Sequence, residues 1–403
     1  NPAIMMKQKV AVALPGAYIN GTHTGFSMND LLSTNDAGEN QLSLEAALEQ
    51  MQGAHYVRAQ TEIEPLAIGL RFNKFQLGVS YRFLTDVFLA YPTELPVLGW
   101  EGNASFVGEK VDISPRLSAS AWHEMAVGTA VKLPGDNLTL GIRAKYLKGV
   151  ANLSSGAGSL SLRTSEDMYH LQVEVDQQLR ATGIILPDSL ETVGDWNPEV
   201  DLDPMAANHG FAMDIGVVYE ISDRMQFSAS VLDLGNIWWT EGSNRLSATG
   251  DFTFEGLDIG DLIENDSAAI EQFTDSLENS LSLASRDANY LSGTPTKLLL
   301  SARFTPVKHL HLQGMVYSEW LQGITMPGIA FNLTKEFGKT LVLGATYSVR
   351  NRQEDNLGAS IRLKAGPCHW FLITDNLLDY VMPLKAQNPN IRFGMNLMFG
   401  RRE

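Results

Sequence analysis

One cysteine, Cys368, stands among 403 residues, which excludes an internal disulfide framework and any multi-cysteine metal site. A buried small hydrophobe is its expected role. No stretch approaches the roughly 18 uninterrupted apolar residues that a membrane-spanning helix needs. The spanning architecture left open is a closed barrel, because lipid tolerates only helices and sheets without edges. Basic residues are also scarce, with 30 Lys and Arg against 46 Asp and Glu for a formal charge of −16. That balance excludes nucleic acid as a partner, since phosphate contacts need basic patches. The chain opens at Asn1-Pro2-Ala3 without a charged-then-apolar leader, the form expected once a signal peptide has been removed. No Gly-x-Ser-x-Gly, His-Glu-x-x-His or phosphate-loop motif occurs, and nothing nominates a nucleophile with its base. A non-enzyme without a cofactor is expected.

What the sequence has in abundance is alternation. In the closing run, Ile391, Phe393, Met395, Leu397 and Phe399 fall on one face, with Arg392, Gly394, Asn396 and Met398 on the other. In 75–91, Leu77, Val79, Tyr81, Phe83, Val87, Leu89 and Tyr91 oppose Gln76, Gly78, Ser80, Arg82 and Asp86. Sixteen or so alternating residues is far beyond an ordinary strand of about five or six. Such runs recur near 7–19, 54–72, 75–91, 112–132, 138–153, 209–221, 225–240, 295–306, 309–321, 325–337, 340–350, 356–365, 368–376 and 390–399. The phase of 309–321 is ambiguous. About fourteen long strands, within a range of 12 to 16, are predicted in one domain over residues 1–403.

The connections separate by length. Those at 73–74, 133–137, 222–224, 307–308, 338–339 and 366–367 are short, and the long ones, near 20–53, 92–111, 154–208, 241–294 and 377–389, fall on the opposite side. Short periplasmic turns, long extracellular loops and an even strand count predict an all-β fold, a transmembrane antiparallel up-and-down β-barrel. A soluble sandwich has no reason to segregate its loops, and no blade repeat marks a propeller. Residues 154–208 carry a net −8 and 241–294 a net −9, so the rest of the chain is almost neutral. Ser159 onward reads as a β-excursion through Leu160–Leu162 and Tyr169–Val175. Ile270, Phe273, Leu277 and Leu281 share a helical face, as do Leu44, Ala47, Leu48 and Met51 after a cap at Ser43.

Candidate functional residues are few. Arg82, Asp86, Arg143, Asp214, Arg303, Arg350, Arg362 and Arg392 lie on the polar faces of their strands and so face the lumen. The preferred reading is a network of paired charges filling the barrel; the functional alternative is a polar passage or an anchor for a plug. Trp238, Trp239 and Trp320 fall at strand ends and match an aromatic girdle at the membrane interface. His309-Leu310-His311 places two histidines on one strand face, a poor metal site without a third ligand. Glu199, Asp201 and Asp203 could collect oxygen ligands for Ca²⁺, although a solvated loop is the preferred reading and no metal is expected.

A fourteen-strand barrel opening on Asn1-Pro2-Ala3 resembles the FadL-like fatty-acid transporters, in which an Asn-Pro-Ala motif sits in the N-terminal hatch that plugs the lumen. Together with Gly25-Phe26-Ser27-Met28-Asn29-Asp30-Leu31-Leu32, Gly366-Pro367, Thr374-Asp375-Asn376 and Arg392-Phe393-Gly394-Met395-Asn396, it resembles an uncharacterised Bacteroidota family of outer-membrane barrels, distantly similar to PorV-type barrels of a secretion system. Phe399 also resembles the C-terminal signal by which such barrels are recognised for insertion. The resemblance implies the bacterial outer membrane, in contact with lipid and lipopolysaccharide. Two functions follow as expectations. One is an interaction or scaffold component docked on other outer-membrane or periplasmic proteins of a secretion or assembly complex. The other is a FadL-like channel or transporter for a hydrophobic ligand.

Overall fold

The computed structural model describes residues 1–34, 40–42, 47, 48, 51, 53–166, 170–184, 207–254, 280–350 and 353–401. Its alternating runs pair into fourteen antiparallel barrel strands. In chain order these are β1 (Gln8–Ala13, continued as Gly16–His23), β2 (Ala54–Phe72), β3 (Phe75–Pro92), β4 (Arg116–Lys132), β5 (Leu138–Ser155), β6 (His209–Ser222) and β7 (Met225–Trp239). They are followed by β8 (Tyr290–Gly293, continued as Thr296–Val307), β9 (Leu310–Leu321), β10 (Ile324–Phe337), β11 (Leu341–Arg350), β12 (Gln353–Ala365), β13 (Cys368–Thr374) and β14 (Asn390–Arg401). Closure is made where β1 pairs with β14 on one side, Val10 opposite Phe399, and with β2 on the other, Val10 opposite Leu70. A closed ring leaves no barrel strand with unpaired backbone, which is what a hydrocarbon environment demands.

The outside of the ring is apolar. Val79, Val127, Leu140, Ile215, Leu300, Val316, Phe331, Leu343, Leu363, Phe393 and Phe399 all stand exposed on it. Leaving this surface in water would cost about 25 cal/mol per Å²; a bilayer removes that cost. Hairpin turns of a few residues join the strands at one end, the turn end, and the long connections leave from the other, the loop end.

The described structure departs from the sequence expectations in four places. The first strand is interrupted at Leu14-Pro15, and β2 carries a bulge between Ile63 and Leu66 that contains Pro65. Both prolines lack the N–H that a ladder uses, so neighbouring strands yield at the same height. The loop over 241–294 contributes strands: Ser243–Phe254 pairs with Leu281–Asp287. Leu281, expected on a helical face, begins a strand because Leu281 and Leu283 also satisfy period 2, and Gly250 and Ala248 lie opposite them. Third, His309 sits in the turn between β8 and β9 with φ +71°, so it does not share a strand face with His311. Its ring meets Glu336, whereas His311 meets Thr305. Fourth, Trp239 is not part of a girdle: it is fully buried, whereas Trp238 and Trp320 are 44 % and 40 % exposed. Consecutive residues of a strand cannot share a face.

At the loop end the barrel wall grows into a five-stranded antiparallel sheet. Its order is Lys110–Asp112, Ser159–Thr164, Leu171–Thr182, Ser243–Phe254 and Leu281–Asp287. The expected excursion after Ser159 is part of it. A helix over Glu94–Glu101, unanticipated in the sequence, lies in the connection between β3 and β4. Ala47 and Leu48 are helical and buried; Ser43, Tyr169, Ile270, Phe273, Leu277 and the acidic trio Glu199, Asp201 and Asp203 lie outside the described residues.

Candidate functional site in the lumen

Because strand side chains alternate, every second residue of fourteen strands is delivered into one enclosed space. Charge collects there in pairs. Arg58 of β2 donates through Nε to Asp86 Oδ1 at 2.9 Å and through Nη2 to Asp86 Oδ2 at 2.6 Å. The same Nη2 reaches Glu319 Oε1 of β9 at 2.9 Å. Strands β2 and β9 are seven apart in a ring of fourteen, so this ion pair crosses the lumen at its diameter. Arg82 bridges Glu62 and Glu124 at 3.1 and 2.5 Å, and Arg392 meets Glu62 at 3.3 Å. Continuing around the ring, Lys145 meets Asp214 at 2.7 Å and also pairs with Asp233, while Lys297 stands 3.6 Å from Asp233 and 3.8 Å from Glu319. The arrangement is a belt of alternating sign. Charges this buried persist only when paired, since removing one partner typically costs about 3–5 kcal/mol.

Two apolar clusters lie above the belt, toward the loop end. Tyr56 of β2 and Phe88 and Ala90 of β3 pack against Leu321 of β9 and Met326 of β10, so opposite walls touch at the loop end. Trp239 packs with Trp122, Leu147, Ala212, Ile237 and Tyr290, and its Nε1 donates to Ser292 Oγ at 2.8 Å. A chamber of about 670 Å³ surrounds the belt and extends from it toward the turn end. Leu84, Trp122, Met315 and Tyr317 give it an apolar wall, and Arg58, Arg82, Lys297, Glu319 and Arg350 give it charge.

Toward the turn end the N-terminal segment enters the barrel. Asn1 Nδ2 donates to the carbonyls of Val217 at 3.2 Å and Ala229 at 3.0 Å, and Asn1 Oδ1 accepts from the Ala3 N–H at 2.9 Å. Two glycines make room for it. A Cβ on Gly216 would overlap Asn1 Oδ1, and one on Gly141 would overlap the backbone of Pro2 and Ala3. Beyond this contact is a second cavity of about 340 Å³, lined by Ala3 to Met5, Lys7, Arg71 of β2 and the turn-end residues of β4 to β9. Gln313 lines both cavities.

The structure brings six of the eight candidate lumen residues to the chamber or to the belt: Arg82, Asp86, Arg143, Asp214, Arg350 and Arg392. Arg143 stands 3.7 Å from Asp214, and Arg350 lies 4.0 Å from Asp375. Arg303 lines the turn-end cavity. Arg362 is exposed near the turn end of β12 and joins neither group. Sequence reading missed Arg58, Glu62, Glu124, Lys145, Asp233, Lys297 and Glu319. Most of these were findable by extending each face past its cleanest stretch. Glu319 was hidden because both faces of 309–321 mix polar and apolar residues. Among the described residues no cluster of His, Cys, Asp and Glu is arranged to hold a metal.

Three solved structures align with nearly the whole chain at low identity. A Pseudomonas aeruginosa FadL homologue is 11 % identical with a TM-score of 0.43, covering 100 % of this chain and 93 % of that one. The Ralstonia pickettii toluene transporter TbuX gives 8 % and 0.42, covering 99 % and 92 %. The P. putida toluene transporter TodX gives 9 % and 0.41, covering 100 % and 93 %. No curated protein matches the chain in sequence. Residues 2–375, which hold the outer sheet and nearly all of the belt, match one family, and the chain belongs to it: the family of unknown function DUF5723.

Proposed function

We propose that this protein is a bacterial outer-membrane channel that takes small molecules with an apolar body and polar groups into its lumen. The observation that carries this reading is the chamber of about 670 Å³ that surrounds the belt inside the barrel. A barrel that served only as a support would gain stability by filling that volume with side chains. Instead the chamber combines an apolar wall with a few convergent polar groups, the usual character of a small-molecule site. The exposed apolar belt and closed ring support the membrane location, and short turns against long loops support an orientation with the turn end in the periplasm. Side chains from opposite walls meet at the loop end, and the Asn1–Ala3 segment is seated farther toward the turn end. Passage would then require both to yield.

The test uses purified protein in detergent with N-phenyl-1-naphthylamine, a neutral apolar dye. Saturable binding is expected, weakened at least tenfold by Ala330→Trp, which places an indole in the chamber lined by Ala330. Absence of saturable binding, or equal binding by the filled variant when both show the same heat-dependent gel migration, removes the channel reading.

A docking role in a larger outer-membrane assembly is the second reading. The five-stranded outer sheet favours it, because its edge strand Leu281–Asp287 pairs on one side only among the described residues and is largely exposed. Co-purification of a stoichiometric partner that is lost on Ser285→Pro would support docking over passage.

A further inference from the structure

The turn-end cavity has an unusual charge balance. Lys7, Arg71, Lys132 and Arg303 line it, and Glu220 is the single carboxylate among its lining residues. Glu220 is already engaged by Lys132 at 3.1 Å. Arg71 donates to the Met6 carbonyl. Arg303 has neither an ion pair nor a hydrogen bond from its side chain among the described residues. Its neighbours directly across the sheet are Gln226 on β7 and Gln313 on β9, and both also line the cavity. Ser228 and Ser301, joined at 2.9 Å, complete the same wall. The contrast with the belt above is sharp, since every cation there has a carboxylate.

A guanidinium flanked by two carboxamides and two hydroxyls is a set of donors without an acceptor of matching charge. With one carboxylate among its lining residues, the cavity of about 340 Å³ has a positive field centred on Arg303. An oxyanion offsets it, and arginine suits the task because its planar fork meets a carboxylate or phosphate with two parallel hydrogen bonds. We propose that this cavity is a binding site for an oxyanion, the carboxylate or phosphate group of a small solute, centred on Arg303 with Gln226, Gln313, Lys7 and Lys132 around it. Lys7 ties the site to the N-terminal segment, so an anion held there fastens the segment in place. The inference does not depend on passage through the upper chamber.

The test is isothermal titration of the full chain in neutral detergent with inorganic phosphate and, separately, with citrate, at ionic strength held constant with NaCl. Saturable binding of at least one is expected, and comparison of the two tells phosphate from carboxylate. Arg303→Gln should weaken it at least tenfold. Glu220→Gln, which removes the cavity's carboxylate, should tighten it at least threefold, a gain that a damaged fold cannot produce. Lys110→Gln, on the outer sheet, and Ala330→Trp, in the upper chamber, should leave it unchanged, so failure of this site and failure of the channel reading are told apart. Heat signals no different from matched NaCl overturn the proposal, as does unchanged affinity in both Arg303→Gln and Glu220→Gln.

Discussion

At the scale of single residues, Arg58 keeps two hydrogen bonds to Asp86 whatever happens across the lumen, and Lys297 keeps Asp233 within 3.6 Å. Glu319→Ala therefore leaves both cations partly compensated. The expected loss is about 1–3 kcal/mol, below the full value for stranding a buried charge, read by urea unfolding in detergent. A change within error would show that the cross-lumen pair holds nothing together. Gly216→Val tests the other closure. Its side chain takes the space of Asn1 Oδ1, so the N-terminal segment should leave its seat. In a Cys368→Ala background, Met5→Cys should then react with a water-soluble maleimide at least five times faster than with Gly216 intact, and equal rates would contradict the fit.

At the scale of elements, adjacent residues of one strand meet different solvents. Trp239→Ala empties a packed cluster of Trp122, Leu147 and Tyr290 and is expected to cost about 3–5 kcal/mol, whereas Trp238→Ala on the exposed face should cost under about 1 kcal/mol in detergent. Thermal unfolding monitored by gel migration separates the two. On β14, Phe393 is exposed on the outer face and Asn396 alternates onto the inner one. Phe393→Asp should slow or block insertion into lipid vesicles, because a charge facing lipid costs up to about 2–4 kcal/mol near the midplane. Asn396→Asp should insert nearly as the parent does. Equal defects would mean that the faces are assigned wrongly.

At the scale of the molecule, the channel proposed above has two closures in series on one lumen: the apolar cluster and the Arg58–Glu319 pair span it at the loop end, and Asn1–Ala3 occupies the wall farther down. Conductance in planar bilayers is accordingly expected to be low for the parent and for each single variant. Combining Glu319→Ala with Gly216→Val should raise it severalfold. A parent that already conducts as well as the double variant would remove the serial arrangement. The turn-end cavity gathers Lys7, Arg71, Lys132 and Arg303, so an anion at the turn end meets attraction.

Period-2 alternation and the one-sided lengths of the connections determined the barrel, its lipid face and its lumen face without reference to coordinates. Phe393 and Arg392 could be assigned to opposite faces because a strand has only two. Trp239 was misplaced only because two neighbouring tryptophans were given one face. What the sequence alone could not determine is how far one strand is shifted against the next, and distance across the ring. Arg58 and Glu319 are 261 residues apart, and nothing local marks them as partners. Their contact exists because closure sets β2 opposite β9 and the lumen is narrow enough there for two side chains to meet. The same holds for Asn1 against Gly216, and for Arg303 left without a carboxylate among four cations. Faces follow from local geometry; partners follow from register and closure, which only the tertiary structure decided.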